Sequence, residues 1–253
     1  MSGSNRRVIV LGALSAMAEA TCRMLAEEGA QLALLGRDAE RLDTVARDLK
    51  TRGAAGVHVF ARDLLDTSDT PSALQAAADS MGGANAVLIF YGVLGDQNRA
   101  ETDLEEARRI IAVNFTSAAA WSLASADLLE RSGGDGAVLV GVSSVAGDRG
   151  RRSNYVYGAA KGGLSILLQG IAHRFAAKPG GARAVTVKAG FVDTPMTAHL
   201  KKGPLWATPQ QIAQVVRRAM DRGGPILYAP WIWRWIMLAI RLIPDAVFKR
   251  VNI

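Results

Sequence analysis

Seven short apolar runs, at residues 8–11, 31–35, 57–61, 86–90, 137–142, 184–188 and 226–228, alternate with helix-like stretches near 16–28, 38–51, 71–81, 101–131, 154–177 and 208–221. Uniform β-α-β alternation predicts a parallel sheet with helices on both faces: an α/β, Rossmann-type, doubly wound fold of about seven strands. The chain has 253 residues, 49% of them hydrophobic, which suffices for one well-buried domain; a second would leave both halves small. Residues 1–228 are expected to form that domain, with 229–253 as an amphipathic tail on it or extending from it. Open sheets of this kind bind ligands at the carboxyl ends of their strands, so functional residues should follow the apolar runs.

After the first run, Gly12-Ala13-Leu14-Ser15-Ala16-Met17-Ala18 opens a helix with small residues. Such a turn lets backbone amides and the positive helix end approach a pyrophosphate, which makes Gly12, Leu14, Ser15, Ala16 and Met17 candidate cofactor contacts. The alternative is an ordinary strand–helix turn. After the second run an acidic residue would bind ribose hydroxyls, but Gly36 stands there and Arg37 follows. A guanidinium suits a 2′-phosphate, so NADP(H) is favoured over NAD(H), unless Arg37 simply meets solvent or Glu40. After the third, Asp63 can accept from an adenine amino group while Leu64 packs nearby; after the fourth, Gly92 lets backbone approach a cofactor.

The fifth run ends in Ser143-Ser144, and Tyr157-Gly158-Ala159-Ala160-Lys161 follows. Tyrosine and lysine four apart share one helix face. A free phenol, with a pKa of about 10, is a poor base at neutral pH, but a nearby ammonium and an oxidised nicotinamide both favour the phenolate. A serine hydroxyl can donate to a carbonyl oxygen as hydride arrives.

In the order Gly12-Ala13, Asp63-Leu64, Asn114, Ser144, Tyr157, Lys161, the chain resembles the short-chain dehydrogenase/reductase family from about residue 6 to 228. The resemblance selects Ser144 over Ser143, because the family's serine precedes the tyrosine by about a dozen residues, and Tyr157 over Tyr155. It implies an NAD(P)-dependent oxidoreductase in which Asn114 positions a proton-relay water. It also implies that Gly190, Val192 and Thr194 hold the nicotinamide carboxamide, and that helices near 101–131 and 154–177 form a homo-oligomer interface. The chain departs from the pattern where Ala16 and Ala18 replace fingerprint glycines, Tyr91-Gly92 replaces Asn-Ala-Gly, and Ala189 replaces a proline. A narrower resemblance, to reductases of polyprenyl-phosphate-linked keto-sugars, is carried by residues 91–96, 143–164, 196–201 and 229–253. It implies reduction of such a ketone as the second half of an epimerisation, with a partner oxidase generating the ketone.

The formal net charge is +7, and three late segments hold all of it: +2 in residues 148–152, +2 in Lys201 and Lys202, and +3 in 225–253. Concentration on the substrate side suggests an anionic ligand, making Arg149, Arg151, Arg152, His199 and Lys201 candidate substrate-binding residues. No aromatic-basic platform for nucleic acid is evident. One cysteine and three scattered histidines offer no metal-ligand set. The start of the chain lacks a signal peptide's apolar core, and no window reaches the roughly 18 residues of a spanning helix, so a cytoplasmic protein is expected. Trp231 to Ile243 is apolar nearly all round with two arginines, which suits a membrane surface at the inner face of the cytoplasmic membrane; the alternative is a dimer interface or a cover over the core. The expected function is reduction of a ketone by NADPH. The alternatives are reduction of another keto-lipid and, from a different class, a protein that senses a dinucleotide without turnover.

Overall fold

A computed structural model describes residues 6–250 apart from 133, 135 and 179; the first five residues of the expected domain and the last three of the tail lie outside it. Seven strands form one parallel sheet: β1 (Arg7–Leu11), β2 (Gln31–Gly36), β3 (Gly56–Ala61), β4 (Ala86–Ile89), β5 (Val138–Ser144), β6 (Arg183–Ala189) and β7 (Ile226–Ala229). Their order is β3-β2-β1-β4-β5-β6-β7, with the chain reversing direction across the sheet between β1 and β4. The crossovers are α1 (Ala16–Glu27), α2 (Ala39–Thr51), α3 (Thr70–Asp79), α4 (Gln97–Ala100), α5 (Leu104–Ile111), α6 (Ala118–Ser132), α7 (Tyr155–Ala176) and α8 (Pro209–Asp221). Two more helices, α9 (Trp233–Leu242) and α10 (Asp245–Phe248), follow the sheet.

Alternation along β1 shows why the runs are apolar throughout. Val8 and Val10 enter a core shared with Leu25 of α1, Leu42 of α2 and Val216 of α8. Ile9 and Leu11 enter the opposite core with Leu74 of α3, Trp121 of α6 and Leu168 of α7. Both faces of the strand are dry, so both side-chain sets must be hydrophobic.

The helix expected over 101–131 is interrupted. Asp103 caps α5 by accepting from Glu105 N (3.0 Å), and Ala112–Ser117 then winds as a π-helical turn before α6. The cause is Asn114, whose Nδ2 donates to the Ile110 carbonyl four residues back (2.8 Å) and intrudes on the regular ladder. The break matters because it sits beside the site.

Candidate active site

The segments that follow β4, β5 and β6, with Met17 of α1, line a cavity of about 760 Å³. On one side stands the turn after β1. Gly12 has φ +79°, and a Cβ there would lie 2.7 Å from the Tyr91 Cβ, so only glycine fits. Gly12 and Ala13 N–H groups both donate to Leu35 O (3.0 and 3.1 Å). Ser15 then caps α1 by accepting from Ala18 N, which directs the helix start and Met17 towards the cavity. Ala16 is the first helical residue, and the partly buried Leu14 packs on the core below. This cradle of close-set backbone fits a pyrophosphate.

Arg37 is exposed where β2 ends, just before Asp38, which caps α2. Asp63 is exposed with Oδ1 accepting from Leu65 N (3.0 Å). Leu64 is buried, and its carbonyl accepts from Ser117 Oγ (2.6 Å) and Trp121 Nε1 (2.8 Å). At Gly92 a Cβ would fall 2.6 Å from Asn114 Oδ1 and 3.1 Å from Lys161 Nζ, so backbone closely approaches both groups.

The candidate catalytic residues follow β5. Ser144 ends β5, and its Oγ accepts from Ala146 N (3.1 Å) at the head of a 3-10 turn, Val145–Asp148. Tyr157 of α7 lines the same cavity, and its side chain interacts with that of Ser144. That approach requires glycine at 158, where a Cβ would sit 2.8 Å from the Ala146 carbonyl. Ser143 faces away: its Oγ donates to Lys161 O (2.9 Å) and pairs with Ser165 Oγ (2.8 Å), fastening α7 to β5. Tyr155 is exposed and interacts with Glu101 and Gln97. Thus Ser144 and Tyr157 meet, and the neighbouring serine and tyrosine do not take their places.

Lys161 lies one turn beyond Tyr157, buried, with Nζ donating to Val142 O (3.3 Å). Burial pulls its ammonium down to about 8. Burial also pushes the Tyr157 phenol up, opposed by the Ser144 hydrogen bond. Asn114 is fully buried, donating to Val93 O as well as Ile110 O (both 2.8 Å) and accepting from Val93 N (3.1 Å). Its side chain therefore holds the segment after β4 in place. After β6, Gly190, Val192 and Thr194 line the cavity, and the Val192 carbonyl accepts from Thr197 Oγ1 (2.6 Å).

Of the basic residues expected to meet substrate, Arg151 and His199 line the cavity. Arg149 does not. Its guanidinium turns the other way, donating to the carbonyls of Ile240 and Ile243 (2.7 Å to the latter), pairing with Asp245 (2.7 Å) and lying 3.8 Å over the Phe248 ring. With every face of the fork committed to the tail, it is corrected from a substrate ligand to a clamp. Arg152 and Lys201 are exposed and outside the lining, although their neighbours Arg151, Ser153 and Leu200 belong to it.

Residues not singled out in the sequence also form the wall, among them Leu94, Gln97, Asn154, Phe191 and Met196. Asn154 precedes α7 where an asparagine ordinarily caps, yet it makes no cap bond and its Oδ1 is buried without a partner. Behind the Ser144 turn, Asp148 pairs with Lys188 of β6 and accepts from Tyr228 Oη of β7 (2.7 Å). A lysine inside an apolar run was the available signal for that pair.

The short chain dehydrogenase family model matches residues 6–204, and the chain belongs to this family of oxidoreductases. It is 34% identical to an uncharacterized oxidoreductase of Mycobacterium tuberculosis over 96% of both chains. It is 31% identical to a cis-4-hydroxycyclohexanecarboxylate dehydrogenase of Sinomonas cyclohexanicum, over 78% of this chain and 77% of that one. Among solved structures, a short chain dehydrogenase from Burkholderia cenocepacia in complex with NADP superposes with a TM-score of 0.80 at 19% identity, covering 99% of this chain and 98% of that one. A short-chain type dehydrogenase/reductase from Mycobacterium ulcerans gives 0.81 at 18% identity, covering 99% and 100%. At such identities these two share the fold.

Proposed function

We propose that this oxidoreductase uses a nicotinamide dinucleotide, NADP(H) in preference to NAD(H), to reduce a cyclic ketone that carries an acidic group. The observation that carries the reading is that Ser144, Tyr157 and Lys161 line one cavity together with Met17 of the helix that follows the Gly12 turn. The dinucleotide, when bound, supplies hydride to the carbonyl carbon. Ser144 Oγ–H donates to the carbonyl oxygen, and the Tyr157 phenol, kept protonated by burial, delivers the proton. Lys161, cationic below about pH 8, stabilises the phenolate left behind and binds ribose hydroxyls. Because the Asn114 side chain is committed to Val93 and Ile110, we assign the relay water to its backbone in the widened turn. Arg37, exposed beyond β2, is the group for a 2′-phosphate.

Two buried, unpartnered atoms on the cavity wall support this substrate: Arg151 Nε, a charged donor for the acidic group, and Asn154 Oδ1, an acceptor for a hydroxyl elsewhere on the ring. A keto-sugar on a polyprenyl phosphate satisfies both, and residues 91–96, 143–164, 196–201 and 229–253 resemble those of a decaprenylphosphoryl-2-keto-ribose reductase. That reading includes a partner oxidase. The Sinomonas relative, named for a ring alcohol bearing a carboxylate, favours a small soluble ketone as the second reading. A reductase of uncharged keto-lipids would leave Arg151 without purpose. We also assign the subunit interface to α5, α6 and α7, whose Leu104, Ile111, Leu123 and Ile166 are exposed.

Single-turnover oxidation of NADPH and NADH against polyprenyl-phosphate keto-sugars, cyclohexanone carboxylates and uncharged keto-lipids tests the proposal. Oxidation with an acidic cyclic ketone, and loss of the NADPH preference in Arg37→Asp, are expected. No oxidation with any ketone would remove it.

A further inference from the structure

We propose that the outer face of α9 docks on an anionic lipid bilayer beside the active-site mouth. The helix has two apolar faces. Trp233, Met237 and Ile240 are buried against Val145, directly behind the Ser144 turn. The other face carries Trp235, Leu238 and Leu242 at helical spacing, and Trp231 stands in the turn just before the helix; Trp231 is 70%, Trp235 56% and Leu242 73% exposed. A helix already packed on the protein has no structural need for a second stripe of this kind.

The flanking charges choose the occupant. Arg234 and Arg241 border the stripe and Lys249 and Arg250 follow, all exposed, while the nearby carboxylate, Asp245, is already paired with Arg149. Tryptophan with arginine on a helix lying flat is the composition of the headgroup boundary, where each basic residue adds attraction to anionic lipid. A second copy of this chain, related by a two-fold axis, would bring the same cations face to face. The stripe is also narrow beside the roughly 20–30 residues per side of a stable interface. No described helix is long and apolar enough to cross a membrane, so the contact is at the surface.

The location gives the contact a consequence. Trp233 of α9 meets Phe191 edge to face (centroids 5.7 Å), and Phe191 lines the cavity while remaining 40% exposed. The inner face of the docking helix thus touches the cavity wall. The inference does not rest on the substrate assigned above, because its readout needs no substrate.

The test mixes the full chain with vesicles of phosphatidylcholine, alone or with phosphatidylglycerol, and reads co-sedimentation and tryptophan emission. Binding with a blue shift on the anionic vesicles, weakened by salt, is expected. Neutralising both arginines (Arg234→Gln, Arg241→Gln) should weaken it on the order of 25-fold. Trp235→Ser with Leu242→Ser should weaken it at least about tenfold while the thermal melt stays unchanged. Absence of binding, equal binding to neutral vesicles, or a dimer that the Trp235→Ser, Leu242→Ser pair breaks without any vesicle binding would each overturn the proposal.

Discussion

Replacing Arg149 by alanine separates a clamp from a substrate ligand. Its side chain is 14% exposed and donates to two carbonyls at the end of α9: that of Ile240, which also accepts from Ile243 N, and that of Ile243 just past the helix. Charge-assisted bonds of this kind contribute about 1.5–3 kcal/mol each. The ion pair adds little, because Asp245 is 88% exposed. The contact with Phe248 adds about 0.5–1 kcal/mol. Allowing for water reaching the freed carbonyls, truncation should cost about 2–4 kcal/mol. For a chain of this length that lowers the melting temperature on the order of 10 °C. Loss should begin at the tail, so limited proteolysis near residue 230 should accelerate before the global transition. The ketone KM should stay unchanged. Melting followed by circular dichroism, proteolysis and steady-state kinetics on one preparation decide the matter. A tenfold rise in KM with unchanged melting and proteolysis would refute the clamp and return Arg149 to the substrate.

Tyr157→Phe should lower kcat by about 10²–10⁴-fold while the dinucleotide still binds, as read by calorimetry; retained turnover would remove the phenol from the mechanism. Lys161→Met should inactivate the enzyme yet stabilise it at pH 7 by up to about 3 kcal/mol. The folded pKa of about 8 lies below the ordinary 10.5, so the penalty is full below pH 8 and fades as pH rises to 10.5; urea melts across that window should show the gain vanishing. Gly190→Ala would place a Cβ 2.0 Å from Trp233 Nε1, costing about 1–3 kcal/mol and displacing α9, which tryptophan emission and the dinucleotide Kd should both register.

The sheet was legible because its central strands are covered on both faces and so appear as apolar runs, as β1 shows. The meeting of Ser144, Tyr157 and Lys161 was legible for a local reason: the last two share a helix face and the serine ends the preceding strand. Arg149 was not. Its partners lie more than ninety residues away, and nothing near position 149 tells which carbonyls will arrive there. The break at Asn114 was equally hidden, since the 3.6-residue pattern runs through it and only the amide on Ile110 reveals it. Asn154 stands at a capping position, and its unpartnered, buried oxygen appears only once the cavity exists.

Asp148 and Arg149 are adjacent yet point apart, one to Lys188 and Tyr228 of the sheet, the other to the end of α9. The 3-10 turn that follows Ser144 is therefore pinned from two sides by charge. The inner pair is almost dry, with side chains 1% and 8% exposed, and removing such charges from water consumes most of what their attraction returns. A hydrophobic pair would hold the fold as well. Directional bonds to β6, β7 and α9 fix the turn's rotation, and with it the direction in which the Ser144 hydroxyl meets Tyr157. Together with the ammonium buried at Lys161, these charges make the site a place where stability is given up for geometry, as the proposed reaction, with a serine, a phenol and an ammonium in fixed register, demands.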